Sequence, residues 1–121
     1  MQARKPVEWI GSALNDLRAF PRAARRVVGQ AIDDAQLGDE HPAAKAMKGF
    51  GGRSVLEIVV DDDGSTYRAV YTVRFAAAVY VLHAFQKKSK RGIATPKKEI
   101  ELIKGRLRRA EEHYRANYRK D

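Results

Sequence analysis

The feature that most constrains the fold is a turn. Asp61-Asp62-Asp63-Gly64-Ser65 sits between the β-branched run Val55-Leu56-Glu57-Ile58-Val59-Val60 and an alternating run at residues 66–75. Acidic residues next to a glycine supply the positive-φ positions a tight hairpin needs, and β-branched runs fit a pleated strand. In the second run Tyr67, Ala69, Tyr71 and Val73 take one face, while Arg68, Val70, Thr72 and Arg74 take the other. Residues 79–86 form a further β-branched and aromatic run, joined to the hairpin through Ala76-Ala77. Met47-Lys48-Gly49-Phe50 reads as a short strand turned by Gly51-Gly52.

On both sides of this meander the period changes to helical. Ser12 reads as a cap, with Leu14 and Leu17 as an apolar edge, and Pro21 opens a second helix carrying Ala24, Val27, Val28, Ala31, Ile32 and Ala35. Thr95-Pro96 reads as the start of a long helix, with Thr95 as its cap and Pro96 in the first turn, and with Ile100, Ile103, Leu107, Ala110 and Tyr114 on one stripe. Val7 and Trp9 mark a short first strand that Gly11 ends. The expected class is α+β: two N-terminal helices packed on a curved antiparallel sheet, followed by a long C-terminal helix. All 121 residues read as one domain.

Charge narrows the partners. Lys and Arg number 24 against 15 Asp and Glu, a net +9. Residues 1–84 hold 11 basic and 10 acidic residues, whereas residues 85–121 hold 13 and 5, so +8 of the surplus lies in the last third. A polyanion is the expected partner, nucleic acid before an acidic protein. The absence of cysteine removes disulfides, thiol nucleophiles and cysteine-ligated metals. No apolar run reaches the ~18 residues of a membrane span, and the chain reads as cytosolic.

Metal chemistry finds little footing. His41, His83 and His113 fall on different elements, and Asp61-Asp62-Asp63 lacks the spaced oxygens and distal Glu of a calcium loop. Gly49-Phe50-Gly51-Gly52 lacks the Lys-Ser/Thr ending of a phosphate loop. No cofactor is implied.

The sharper constellation is cationic. Arg68 and Arg74 share a strand face, and Lys87, Lys88, Lys90 and Arg91 follow the next strand. Such a cup of cations can grip phosphates and stabilise charge on a phosphorane-like transition state while the RNA's own 2′-hydroxyl attacks. His83 and Tyr71 are the candidates for proton transfer. The same residues also admit structural readings. The arginines can bridge to Glu57 or Asp61, the lysine run can be a solvated loop, and His83 and Tyr71 can be core residues.

Phe85-Gln86-Lys87-Lys88-Ser89, followed by Thr95-Pro96, stands with Ala46-Met47-Lys48-Gly49-Phe50, Leu56-Glu57-Ile58, Tyr67-Arg68-Ala69-Val70-Tyr71 and Val81-Leu82-His83-Ala84-Phe85. Together they resemble the phage-derived HigB-like branch of the RelE/ParE toxin superfamily over roughly residues 7–114. The resemblance implies a type II toxin that enters the ribosomal A site and cuts mRNA without metal. It also implies an antitoxin, in this branch usually a helix-turn-helix protein. Arg68 matches the sheet arginine of the motif, Lys87 and Lys88 the basic pair after the last strand, and Lys48 and Arg53 further RNA-contacting cations. The long C-terminal helix departs from members with a functional Tyr or His in a short tail, so Tyr114 and Tyr118 are not carried over. ParE-like members use the fold against DNA gyrase, so a gyrase poison stays open beside the nuclease, as does a basic nucleic-acid-binding protein without either activity.

Overall fold

The computed structural model describes residues 3–87 and 95–118. Eight elements follow one another: β1 (Val7–Trp9), α1 (Ala13–Arg18), α2 (Arg22–Gln36), β2 (Lys45–Ala46), β3 (Val55–Asp62), β4 (Ser65–Thr72), β5 (Val79–Lys87) and α3 (Lys97–Asn117). They build one five-stranded sheet in the order β1-β5-β4-β3-β2. The β3-β4-β5 meander is antiparallel, as the alternation predicts. Its first turn is two residues long. Asp62 pairs with Ser65, leaving Asp63 (φ 51°) and Gly64 (φ 81°) at positive φ, the backbone of a twist-matched hairpin turn.

Two expectations need correction. The sheet is mixed, because β1 pairs parallel with β5 through Val7, Glu8 and Trp9. The short strand before the glycines is Lys45–Ala46, beginning two residues earlier than expected, and Met47 instead buries its side chain.

The two sheet faces are covered by different helices. Leu56, Ile58, Ala69, Tyr71 and Val81 meet Leu17, Val28, Ile32 and Ala35 of α1 and α2. Val70, Tyr80 and Leu82 on the other face meet Ile103, Leu107 and Ala110 of α3. The central strands are therefore buried on both sides, which explains their near-continuous apolar character. Between Val70 and Tyr71 the register slips: Val70 faces His83, whereas Tyr71 faces Val81. Leu82 is the extra residue, and this bulge lets Leu82 and His83 both turn toward α3. Among the described residues, no helix is long and apolar enough to cross a membrane.

Candidate functional site

Residues paired across strands share a face, so the register fixes the layout on the α3 side of the sheet. One row runs Lys45, Glu57, Val70, His83 across β2 to β5. The next runs Val59, Arg68, Phe85, and the third Asp61, Thr66, Lys87. Arg68 and Lys87 are diagonal neighbours on one face, a relation that puts side-chain bases about 7–8 Å apart. The sheet arginine and the lysine at the end of the last strand thus lie side by side.

Arg68 is 8% exposed, and its guanidinium donates to Thr95 Oγ1 at 3.0 Å. The sequence assigns that hydroxyl to helix capping. In the structure Pro96 is the N-cap residue, and Thr95 instead holds Arg68 from the start of α3.

His83 is gripped at both ring nitrogens. Nε2 lies 2.7 Å from Glu99 Oε1, and Nδ1 lies 3.3 Å from the Arg106 guanidinium. A guanidinium only donates, so the geometry assigns the proton to Nε2, which donates to Glu99. Phe85 stacks on the ring at 4.8 Å. Burial lowers the His83 pKa, Glu99 opposes that shift, and the Arg106 charge adds to it. Arg106 also donates to Leu82 O at 3.0 Å and to Ser12 Oγ at 3.2 Å, and Ser12 donates to Asp16 at 2.7 Å. This chain of bonds ties α3 to β5 and α1. Gly11, at φ 57°, makes room for it, because a Cβ there would sit 3.0 Å from the Arg106 guanidinium.

The network makes stability pH-dependent. With the folded-state pKa of His83 below the ordinary value, the unfolded chain takes up the proton first. Stability from this group is full above about pH 6.5 and declines as pH falls below it. Calorimetry from about pH 7.5 to about pH 5.5, across that reference value, should show a falling melting temperature. His83→Gln, which cannot protonate, should flatten the slope. Equal slopes in the two proteins would assign the acid sensitivity elsewhere.

The other sequence-predicted residues fall in several places. Tyr71 lies on the opposite face from Arg68, 1% exposed under α1 and α2, and burial reinforced by Glu40 and Asp34 pushes its pKa up to about 12. The expectation that it shares proton transfer with the cation cluster is corrected, because the sheet separates them. His83 is on the correct face, but both of its nitrogens are occupied. Arg74 is not on a strand. β4 ends at Thr72, whose hydroxyl donates to Ser54 O at 2.7 Å and accepts from Arg74 N, and Arg74 then pairs with Glu111 at 3.0 Å. Arg53 pairs with Glu40 on the surface. Lys48 is exposed in the β2–β3 connection. Lys88, Lys90 and Arg91 lie outside the described residues.

Glu99 and Arg106, which hold the His83 ring, were not singled out by the sequence reading.

The model of the family described as Phage derived protein Gp49-like (DUF891) matches residues 15–108. No curated protein sequence matches the chain. Among solved structures, a mutant of the E. coli toxin RelE in the free state superposes with a TM-score of 0.53 at 18% identity, covering 88% of this chain and 97% of that one. The isolated E. coli RelE toxin gives 0.47 at 20% identity, covering 84% and 97%. The toxin–antitoxin complex RelBE2 of Mycobacterium tuberculosis gives 0.46 at 20% identity, covering 74% and 98%. The chain belongs to the phage-derived Gp49-like family, and its α+β architecture is that of the RelE-type toxins.

Proposed function

We propose that the protein is the toxin of a type II toxin–antitoxin pair and that it cuts mRNA on the ribosome without metal, in the cytoplasm, until an antitoxin of helix-turn-helix type binds it. The observation that carries this reading is the placing of Arg68 and Lys87 as diagonal neighbours on one sheet face. Two cations there can hold the non-bridging oxygens of a single phosphate and stabilise the charge that builds as the 2′-hydroxyl attacks. Lys88, next in the chain, adds a third in this scheme. The family membership and the charge surplus of the last third support the same reading.

Controlled expression with primer extension on cellular transcripts tests it. Cuts at consistent codon positions, confined to translated messages, are the expected result. Growth arrest with intact transcripts and a DNA-damage response would replace this reading with gyrase poisoning. Salt-sensitive nucleic-acid binding without arrest would leave only a binding protein.

A further inference from the structure

We infer that Arg22, Arg25 and Arg26, on the outer face of α2, form a docking surface for the phosphate backbone of duplex RNA. The surface lies on the opposite side of the sheet from Arg68. It therefore concerns a second polyanion, not the strand to be cut, and stands apart from the nuclease reading.

α2 turns Ala24, Val28, Ala31, Ile32 and Ala35 inward. Arg22, Arg25 and Arg26 are left exposed on the outside, where the three line one recess open to solvent. Arg22 stands one turn before the other two, a spacing that puts side-chain bases about 5–6 Å apart. Residues 17–32 hold four arginines and no Asp or Glu. Among the described residues, none of the three has an ion-pair partner, whereas Arg4, Arg53 and Arg74 each hold a carboxylate.

The cluster works against the helix that carries it. Like charges three and four residues apart repel, and cations in a first turn oppose the positive end of the helix dipole. No acidic residue stands in that turn to offset them. Helix stability does not account for these arginines, and an anion laid across them removes the repulsion. Guanidinium forks match phosphate oxygens in pairs. Surfaces for single strands combine cations with aromatic platforms for the bases, and the exposed neighbours here are Ala23, Gly29 and Gln30. Ala23 and Gly29 also offer no side chain to enter a major groove and read bases, as helices that hold DNA do. Contact with phosphates alone suits an RNA duplex, which proteins recognise by shape and backbone.

The test is fluorescence anisotropy of a labelled RNA hairpin with a stem of about 16 base pairs, titrated with the full-length protein across a salt series. Arg22→Gln/Arg25→Gln/Arg26→Gln should weaken binding and lower the slope of log K against log salt by about 3, one for each lost phosphate contact. A changed stem sequence should leave wild-type affinity unmoved. Arg108→Gln/Arg109→Gln/Arg115→Gln removes the same charge from exposed positions on α3 and should keep the wild-type slope. Equal falls for the two triple variants would mean diffuse attraction by net charge and overturn the inference. Tighter binding of a DNA duplex of the same sequence would overturn it too. So would an α2 triple variant that keeps the hairpin and loses a poly-glutamate peptide, since the recess then belongs to an acidic protein. Should a thermal melt show that this variant does not fold, Arg25→Gln alone should lower the slope by about 1, and an unmoved slope overturns the inference. Duplex binding by wild-type protein that never cuts a message upholds this inference while removing the nuclease reading.

Discussion

Under the proposed nuclease mechanism, replacing Arg68 with alanine should lower the rate of transcript cleavage by about 10²–10³-fold, the loss expected when one preorganised charge stabiliser is removed. The size of the effect follows from where the guanidinium sits. At 8% exposure, Arg68 acts through a medium that screens charge far less than water does. Its bond to Thr95 fixes its direction before any substrate arrives, so little reorganisation remains for the reaction itself. Lys87, half-buried on a flexible stem, gives a smaller loss when replaced. Arg68→Lys keeps the charge without the planar fork, and its rate falls between those of wild type and alanine. A thermal melt of each variant separates loss of chemistry from loss of fold. Growth arrest and message cuts undiminished in folded Arg68→Ala would end the proposed mechanism.

The residues that carry this prediction were legible because a strand has a period of two. Once Asp63-Gly64 fixed the turn, alternation put Arg68, Val70 and Thr72 together and sent Tyr71 to the other face, as the structure shows. Where the run ended was less legible. Residues 66–75 keep alternating past the last strand pair, where the Thr72 hydroxyl donates to Ser54 O and accepts from Arg74 N, and Val73 N donates to Ser54 O. Arg74 is thereby carried away to Glu111.

The bulge at Leu82 had no signal either. Residues 79–85 are apolar or aromatic almost throughout, so one extra residue in that run disturbs no pattern. Its consequence is large, since it turns His83 toward Glu99 and Arg106. Those partners lie 16 and 23 residues further along the chain, a separation that local pattern cannot bridge. Thr95 shows the same limit. Its position before Pro96 reads as a cap, while its actual partner is on β4.

Ile103→Ala destabilises the fold by about 2–5 kcal/mol, the range for removing a large aliphatic side chain from a packed interior. Ile103 is fully buried, in one cluster with Val70 and Leu82 from the sheet and Leu107 and Ala110 from its own helix. Leu102, its neighbour in sequence, is 37% exposed, so Leu102→Ala stays near neutral. The pair isolates docking from helix propensity, because alanine is the better helix former in both cases. Urea unfolding reads the difference: the midpoint drops for Ile103→Ala with an unchanged slope, and holds for Leu102→Ala. The loss reaches beyond stability. α3 carries Glu99 and Arg106 and follows directly on Thr95 and Pro96, so its docking helps hold the Arg68 guanidinium and the His83 ring in place. Loosened packing at Ile103 therefore speeds amide exchange in α3 before it does so in β3 and β4. Equal costs at positions 102 and 103 would show that this helix does not rest on the sheet through its isoleucine stripe, and the positioning of Arg68 would then need another source.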